Sequence, residues 1–408
     1  MWIVVSVLIG IAILFLLEFY FTKKLGGILK TLYPSFSKKR KKKIISAFLV
    51  LLNLYPAVLI FNALYAAITK QSVSFPENVF ADYFLLYPFW ILILIIVQVC
   101  VLFVFADILK LILSLILKKH KELFNRIAAK TFLLLVVIFV VYVPVRIIYD
   151  YNTVDVRNIA YKNEAIPKQL DGFKIVFISD VQADRYTDKK RLTRYIDDVN
   201  KANPDLVLIA GDVITSTPNY IETAAKYIGK IKSKYGVFSC VGDHDNWAYR
   251  QDYSRSLREV KQALNNYNVK MLDNTINYIK VDSSTIGITF ITNTYVSDVP
   301  ELTLQQLSKS NKGDVKIFLT HQPQKFLISS AVKNNYDLFL AGHTHGGQIA
   351  FLFPFIQLTP TLIETTYIKG DFYFSKTLAV VGGGLGMSLA PVRYNSTPEV
   401  IILTLQKN

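Results

Sequence analysis

The sequence predicts a membrane-embedded N-terminal region followed by an α/β layered domain, and two observations support this fold class. Four long apolar runs occur before residue 150, and each approaches the roughly 20 residues that a helix needs to cross a bilayer. From Asp150 onward, short β-rich runs alternate with charged amphipathic stretches, which is typical of strands and helices in layers. We therefore expect one domain at residues 1–149 and another at residues 150–408.

The four predicted membrane spans lie at about residues 2–21, 44–68, 84–106 and 131–148. The first run has Glu18 as its only charge. It lacks the preceding basic residues and the following small-residue cleavage site of a signal peptide, so we interpret it as a retained anchor. Asp107 and His120 lie at predicted helix ends rather than at mid-bilayer, which disfavours a transporter.

The basic charge is concentrated in the membrane region. Residues 1–149 contain 17 Lys and Arg against 5 Asp and Glu, whereas residues 150–408 contain 29 against 25. The positive-inside rule places the basic loops at 38–43 and 118–130 in the cytoplasm, so the second domain is predicted to be extracytoplasmic. Aromatic residues lie in apolar runs rather than on a basic face, so no nucleic-acid partner is expected. The two cysteines are too few for a disulfide framework.

Several predicted strands of the second domain end in potential metal ligands. Strands predicted at 173–179, 206–210, 237–241, 315–320 and 336–341 are followed, in order, by Asp180 and Gln182, Asp212, Asp243, His321, and His343 with His345. A single aspartate at a strand end could be only a helix cap or a turn former. Together these residues predict a mixed oxygen and nitrogen site suited to Mn²⁺, Fe or Zn²⁺.

The densest part of this pattern is Gly342-His343-Thr344-His345-Gly346-Gly347-Gln348. Its two imidazoles lie one residue apart, directly after a predicted buried strand. The flanking glycines allow the backbone to turn tightly and to approach neighbouring chain closely. Both imidazoles can therefore converge on one metal site.

These motifs, taken in chain order, resemble the calcineurin-like metallophosphoesterase superfamily. They are Asp180-Val181-Gln182, Gly211-Asp212, Gly242-Asp243-His244-Asp245, His321 and Gly342-His343-Thr344-His345. The Gly-His-Thr-His-Gly-Gly-Gln ending, with the later Gly382-Gly383-Gly384-Leu385-Gly386 and Pro398-Glu399, is similar to the bacterial membrane-associated branch. The resemblance covers roughly residues 173–405. It implies a four-layer sandwich of two mixed sheets flanked by helices, following a four-helix region in a bacterial plasma membrane.

The resemblance also implies a dinuclear metal centre and a role for each motif residue. Asp212 would bridge two divalent ions. One ion would also bind Asp180, Gln182 and His345, and the other would bind Asp243, His321 and His343. His244 would stabilise the transferring phosphoryl group or protonate the leaving oxygen, with Asp245 orienting it. A phosphomonoester or phosphodiester substrate is expected, because two metals about 3.5–4 Å apart neutralise phosphate charge and activate water.

Two positions depart from the family pattern. Gln182 stands where the family usually has His, and Asp243 stands where it has Asn. The glutamine carbonyl is a neutral hard oxygen donor and Asp243 adds a negative charge, which favours Mn²⁺, or else Mg²⁺, over Zn²⁺ or Fe. The departures leave an alternative open, in which the protein is a membrane-bound sensor or scaffold whose metal site no longer turns over substrate.

The segment 349–356 bears on the substrate. It is apolar throughout, which predicts either a packed strand and loop or an apolar lip beside the metals. Such a lip would hold the acyl or prenyl chain of a lipid-linked phosphoester. Guanidinium groups suit phosphate oxygens, and the candidates for that contact are Arg185, Arg191, Arg250 and Arg393. The pattern leaves the oligomeric state open.

Overall fold

The computed structural model describes residues 2–70, 78–113, 121–249, 251–353 and 356–408. Some positions singled out from the sequence lie outside the described residues, namely His120, Arg250, Pro354, Phe355, and parts of the loops at 69–83 and 118–130. The chain divides into two compact units, Met1–Arg146 and Ile147–Asn408. Each unit is described below by itself.

The first unit consists of long helices. They are α1 (Trp2–Leu32), α2 (Lys38–Thr69), α3 (Val79–Ala81) with the π-helical turn Asp82–Leu86, α4 (Tyr87–Leu113) and α5 (Lys121–Asn152), whose last residues belong to the second unit. In the described part of the chain, three stretches are long and apolar enough to cross a membrane: Lys38–Thr69, Val79–Ile112 and Glu122–Asn152. The chain is therefore a membrane protein. Helix α1 contains the predicted span 2–21, and its crossing of the bilayer stays a prediction.

Polar and aromatic contacts join the helices of this unit. Phe21 of α1 stacks on Phe48 of α2, with 4.8 Å between ring centroids. Lys24 of α1 forms an ion pair with Asp107 of α4, and Tyr20 Oη donates to the same carboxylate at 2.8 Å. The Asp107 charge is thus paired with a neighbouring helix, as expected for an ionisable group in an apolar region.

The second unit is built from β-strands and short helices. The strands are β1 (Asp155–Lys162), β2 (Lys174–Ile178), β3 (Leu206–Ile209), β4 (Val237–Ser239), β5 (Val269–Met271), β6 (Thr275–Val281), β7 (Ser284–Ile291), β8 (Val315–Thr320), β9 (Leu338–Ala341), β10 (Phe351–Phe353), β11 (Ile356–Leu358), β12 (Gly370–Phe374), β13 (Thr377–Val381) and β14 (Glu399–Gln406). The helices are α6 (Lys189–Lys201), α7 (Ile221–Ile228), α8 (Tyr253–Asn266), α9 (Glu301–Ser310) and α10 (Lys325–Lys333).

Twelve of these strands form two mixed sheets of six strands each. The first sheet has the order β1-β14-β2-β3-β4-β5. Strands β2 to β5 run parallel, while β14 is antiparallel to β2 and parallel to β1. The second sheet has the order β12-β13-β9-β8-β7-β6, with its four central strands parallel and each edge strand antiparallel to its neighbour. Strands β10 and β11 form a separate antiparallel hairpin.

Successive side chains of a strand point to opposite faces of its sheet, and this alternation divides the core into layers. In β2, Ile175 and Phe177 are buried in one cluster with Ile288 of the second sheet, so that cluster joins the two sheets. Val176 points to the other face and is buried with Leu192 of α6, as the two-residue period of a strand requires. A third cluster covers the second sheet with residues of α9 and α10. Helices therefore flank both sheets.

This topology brings the ends of parallel strands from both sheets together. The carboxyl ends of β2, β3 and β4 share one edge of the first sheet, and those of β8 and β9 share one edge of the second. His321, which follows β8, lies with its Nδ1 at 2.7 Å from the carbonyl oxygen of Ala210, which follows β3. The candidate ligands therefore meet at one edge common to the two sheets.

Candidate metal centre

Most of the candidate ligands lie in turns of unusual backbone geometry. Five of them have positive φ, namely Asp180 at 51°, Gln182 at 49°, Asp212 at 56°, His343 at 72° and His345 at 51°. Residues other than glycine rarely adopt this conformation. Such strain persists only where surrounding structure holds it, and it is concentrated at functional sites. The turns redirect each side chain immediately after its strand has ended.

Glycines allow these turns to pack against one another. A Cβ atom on Gly242 would lie 2.2 Å from Oδ1 of Asp212, and one on Gly386 would lie 2.4 Å from the Cβ of Gln182. Neither position can accept a side chain without moving a candidate ligand. Close backbone approach is thus part of how the site is assembled.

One group of ligand atoms is formed by Asp243, His321 and His343. Asp243 Oδ2 lies 2.9 Å from His343 Nδ1 and 3.2 Å from His321 Nε2. The two imidazoles approach to 3.3 Å between His343 Nδ1 and His321 Nε2. The structure therefore brings together the three residues that the sequence assigned to one metal ion.

A second group consists of Asp180, Asp212 and His321. His321 Nε2 lies 3.3 Å from Asp212 Oδ2, so this imidazole faces both groups. His345 Nε2 lies 3.7 Å from Asp180 Oδ1, and Gln182 Nε2 donates to Asp212 Oδ2 at 2.8 Å. The His343 backbone amide donates to Asp180 Oδ1 at 3.0 Å. All seven candidate ligands are thus connected through contacts of 3.7 Å or less, and His321 is the residue that the two groups share.

The chemistry of these donors fits divalent metal ions. Three carboxylates and three imidazoles provide the oxygen and nitrogen ligands that Mn²⁺, Fe and Zn²⁺ accept. Gln182 is fully buried, and its Oε1 has no hydrogen-bond partner among the described residues. A buried carbonyl oxygen without a partner is costly, and coordination of a cation would satisfy it.

Hydrogen bonds fix which nitrogen of two histidines faces the ligand groups. A carbonyl or carboxylate oxygen can only accept, so His321 donates through Nδ1 to Ala210, and His343 donates through Nε2 to Glu364 Oε2 at 2.8 Å. The opposite nitrogen of each ring faces Asp243. This is the arrangement of a histidine oriented for metal binding.

The pKa values of the site reflect burial opposed by close charges. Burial alone would raise the pKa of Asp243, but hydrogen bonds from His321 and His343 outweigh it and hold that pKa below its usual range. Burial raises the pKa of Asp180. Burial would lower the pKa of His343, yet its hydrogen bonds to Asp243 and Glu364 raise it to about 9. The contacts between Asp243 and His343 therefore favour the charged form of both groups.

His244 lies beside the ligand groups. Its Nδ1 hydrogen bonds to the carbonyl oxygen of Thr215, and its Nε2 lies 3.0 Å from Ser388 Oγ. Its backbone amide donates to Asp212 Oδ1 at 2.7 Å. The Trp247 ring meets the imidazole edge-on at 4.5 Å between centroids. His244 is thus held next to Asp212, with Nδ1 on the Thr215 carbonyl and Nε2 on the Ser388 hydroxyl.

The expectation that Asp245 orients His244 was wrong. Asp245 is fully buried, and its carboxylate accepts from the backbone amides of Asp212, Val213 and Gly242 at 2.8–3.0 Å. Both of its oxygens are occupied by these contacts. Asp245 therefore fixes the backbone beneath the site, and Thr215 and Ser388 orient His244 instead.

Two of the arginines proposed for phosphate are committed to other contacts. Arg393 is buried and donates to the carbonyl oxygens of residues 345, 383, 386 and 396. Arg191 is buried, donates to the carbonyl oxygen of Tyr186, and stacks over the Tyr151 ring at 4.2 Å. Neither guanidinium reaches the surface. The contacts of Arg393 leave it no donor for phosphate, whereas Nε and Nη2 of Arg191 have no hydrogen-bond partner among the described residues, so its phosphate role stays a prediction. Arg185 stays a prediction.

Sequence reasoning missed several residues that contact the site. They are Thr215 and Ser388 on His244, Glu364 and Tyr295 on His343, and Gln322, whose Nε2 donates to both carboxylate oxygens of Asp243 at 3.0 and 3.1 Å. Gln322 was detectable, because it directly follows His321. The others lie in loops without periodicity, far from the residues they touch.

Comparison with known proteins independently supports a metallophosphoesterase domain in this chain. The family model of the calcineurin-like phosphoesterases matches residues 173–347. An uncharacterized metallophosphoesterase of Campylobacter jejuni is 28% identical over 309 residues, covering 74% of this chain and 76% of that protein. The uncharacterized metallophosphoesterase YkuE of Bacillus subtilis is 30% identical over 251 residues, covering 60% of this chain and 83% of that protein. A transmembrane protein with metallophosphoesterase domain of Danio rerio is 26% identical over 255 residues, covering 60% of this chain and 55% of that protein.

The position of Asp245 leads to a prediction about stability. The change Asp245→Ala leaves three buried amides without acceptors, and each unsatisfied group costs about 1–3 kcal/mol. We expect the thermal unfolding midpoint of the full chain in detergent to fall by roughly 10 °C. The exposed Glu164→Ala serves as the matched control and should change it by no more than about 2 °C. An Asp245→Ala midpoint equal to that of the control would contradict the backbone role.

Proposed function

The chain belongs to the calcineurin-like metallophosphoesterases, and on that premise we propose that it is a membrane-anchored hydrolase that cleaves a phosphomonoester or phosphodiester at a dinuclear metal centre. The observation that carries the proposal is the pair of ligand groups that share His321, one with Asp243 and His343 and the other with Asp180 and Asp212. Two adjacent groups of largely buried carboxylates and imidazoles match the requirements of phosphoester hydrolysis.

We assign one ion to Asp180, Gln182, Asp212 and His345, and the other to Asp212, Asp243, His321 and His343. When bound, two divalent ions supply positive charge to the phosphoryl group and lower the pKa of water. Mn²⁺ is the proposed metal, because the neutral carbonyl of Gln182 and the added carboxylate of Asp243 favour a hard ion. Mg²⁺, Fe and Zn²⁺ remain the alternatives that a metal screen would compare.

His244 is the proposed proton donor. Hydrolysis breaks the phosphorus–oxygen bond to the leaving group, forms one to the oxygen of water, and delivers a proton to the leaving oxygen. With Nδ1 held by the Thr215 carbonyl, Nε2 is the nitrogen that can give that proton, from the doubly protonated ring, which recovers a proton from the attacking water. Ser388 Oγ, 3.0 Å away, keeps Nε2 in place until substrate arrives. Asp245 supports this step only through the backbone that it holds.

The membrane region supports a proposal about which membrane the protein occupies and on which side residues 150–408 lie. We propose that four helices cross a bacterial plasma membrane, with α1 as the first span, and that residues 150–408 form a four-layer sandwich on the extracytoplasmic side. The distribution of basic residues supports this side, because both Lys- and Arg-rich loops then face the cytoplasm. The apolar character of the three described stretches supports the crossing.

A lipid-linked substrate is the finer part of the proposal. Leu389, next to Ser388, is 99% exposed, and Ile363, next to Glu364, is 91% exposed. Ser388 touches His244 and Glu364 touches His343, so each of these aliphatic residues is the chain neighbour of a residue that contacts a site histidine. Apolar side chains in such positions would suit the chain of an amphiphilic ligand. We call Leu389 and Ile363 the aliphatic rim.

The backbone of the rim argues against a purely structural role. Leu389 has φ of 61°, a strained conformation for a residue with a Cβ. A leucine there costs strain and exposes apolar surface to water, while burying nothing in the domain itself. In the segment 349–356, by contrast, Phe351 and Phe353 are only half-exposed, and Leu352 is the exposed side chain. We therefore propose the rim, rather than the segment 349–356, as the contact for an acyl or prenyl chain.

Metal-dependent turnover tests the proposed activity. The full chain in detergent would be assayed with an aryl phosphate monoester and diester, metal-free and with Mn²⁺, Mg²⁺, Fe²⁺ or Zn²⁺. We expect Asp212→Asn and His345→Ala to lower kcat/KM by about 100-fold or more, the scale of losing one electrostatic stabiliser. Asp298→Asn, an exposed carboxylate, is the control and should not change it.

The same assay addresses the alternative of a degenerate site in a sensor or scaffold. If Gln182 marks a decayed site, Gln182→His should give a large gain from near-zero turnover. If the site is adapted to its present metal, Gln182→His should leave turnover unchanged or reduce it. Absence of turnover with every metal, in a folded protein that binds metal, would favour the scaffold.

The proposed orientation predicts which residues a membrane-impermeant maleimide reaches. The native cysteines are both buried, so the parent chain provides the unlabelled background. We expect Glu164→Cys to react in intact spheroplasts and Lys41→Cys to react only after permeabilisation. The opposite pattern would place the second domain in the cytoplasm.

The aliphatic rim predicts a chain-length effect. Hexadecyl and ethyl esters of p-nitrophenyl phosphate share a leaving group and differ only in the alkyl chain. We expect Leu389→Ser with Ile363→Ser to lower kcat/KM for the hexadecyl ester by roughly tenfold or more, since burying one such side chain contributes about 1.5–3 kcal/mol. The ethyl ester should be little affected. The exposed Leu302→Ser is the control, and equal losses on both esters would refute a lipid contact.

A further inference from the structure

A partly exposed carboxylate outside the motifs contacts one of the proposed metal ligands. Glu364 follows the short 3₁₀ turn Pro360–Ile363, and its Oε2 lies 2.8 Å from His343 Nε2. On its other side, the same ring presents Nδ1 to Asp243 Oδ2 at 2.9 Å. The imidazole is therefore held between a buried carboxylate and a half-exposed one.

The contact determines which nitrogen of His343 is available to a cation. A carboxylate only accepts, so Nε2 carries the proton that it donates to Glu364. With Nε2 as the donor, Nδ1 is the nitrogen that faces Asp243 and His321. A carboxylate in this position orients the ring and increases the basicity of the ligating nitrogen.

Tyr295 supports this carboxylate and links it to Asp243, a member of the same ligand group as His343. Its Oη donates to Glu364 Oε2 at 2.5 Å, and its backbone amide donates to Asp243 Oδ1 at 2.6 Å. One residue thus contacts both the carboxylate behind His343 and another proposed ligand of the same ion. Trp247 lies parallel to the Tyr295 ring, with 6.4 Å between centroids. Contacts with Glu364 and Trp247 therefore hold the Tyr295 side chain in place although it is largely exposed.

From these contacts we propose that Glu364, held by Tyr295, is a positioning residue that sets the affinity of the metal ion bound by Asp243, His321 and His343. The inference rests on the proposed function, because it requires a cation at that position. Glu364 is not assigned to the metal itself or to substrate. Its effect passes through the His343 ring.

The test is Mn²⁺ binding to the full chain in detergent, measured by equilibrium dialysis. Wild type should bind two ions. We expect Glu364→Gln and Glu364→Ala to weaken one of them by about 10- to 100-fold, the usual effect of removing such a partner. Tyr295→Phe should weaken the same ion less, because Glu364 remains. The other ion should bind as in wild type.

A second readout separates positioning from catalysis. The Mn²⁺ concentration for half-maximal turnover should rise in the Glu364 variants, while kcat at saturating Mn²⁺ stays close to wild type.

The matched control is Glu222→Gln, because Tyr267 Oη donates to Glu222 at 2.5 Å in a Tyr–Glu pair that has no histidine. This control should change neither measurement. Melting temperatures without metal would verify folding of every variant, and Tyr295→Phe keeps the test decisive if the Glu364 variants are unstable.

The outcomes distinguish this inference from the proposed function. If wild type binds two ions and the Glu364 and Tyr295 variants bind both as tightly, the positioning role is overturned and the phosphoesterase proposal stands. If wild type binds two ions and one is weakened in the variants, but no ester is hydrolysed, the positioning role holds and the activity fails. A wild-type protein that binds no divalent ion would overturn both.

Discussion

The structure depends on the burial of three carboxylates at one sheet edge. Asp180, Asp212 and Asp243 are almost fully removed from water, and like charges so placed repel unless positive charge lies among them. His321 and His343 lie among them, and contacts with the neighbouring carboxylates raise the pKa of both imidazoles although burial alone would lower it. A pair of divalent cations would supply positive charge at the same place. The same residues thus serve folding and metal binding, and this explains why the site tolerates its electrostatic cost.

Much of the surrounding structure holds the backbone of the ligand turns. Asp245 accepts three backbone amides beneath Asp212, and Arg393 donates to carbonyl oxygens of the loops that carry His345 and the glycine-rich stretch 382–386. Gln348 accepts from the backbone amide of Ser388 at 2.7 Å and so fixes the group that faces His244. Buried charged residues commonly stabilise positive-φ turns in this way, because each strained residue needs its neighbours to hold it.

The sequence predicted the parts of the molecule that depend on local patterns. The apolar runs predicted most ligand-bearing strands to within two or three residues, and polar residues at their ends identified the seven candidate ligands, which the fold brings together. Strand β1 was missed because it is an edge strand that pairs only with β14, more than 230 residues later. The roles of Asp245 and Arg393 were misassigned because a carboxylate or guanidinium looks alike in sequence whether it faces substrate or backbone. Phe351 and Leu352 were likewise indistinguishable until the hairpin fixed which face each occupies.

The short segment Pro360–Glu364 connects two proposals made on different observations. Ile363 belongs to the aliphatic rim, and the adjacent Glu364 holds His343 through a hydrogen bond of 2.8 Å. Neighbouring residues of one turn cannot move independently, so an apolar chain that packs on Ile363 also restricts the position of Glu364. A ligand stabilises whichever arrangement it contacts best. An alkyl chain on the rim would therefore favour the arrangement in which His343 directs Nδ1 toward Asp243. Compared with a short-chain phosphonate of the same head group, a non-hydrolysable long-chain phosphonate should raise Mn²⁺ affinity more. By thermodynamic reciprocity the metal must then strengthen binding of that phosphonate by the same factor.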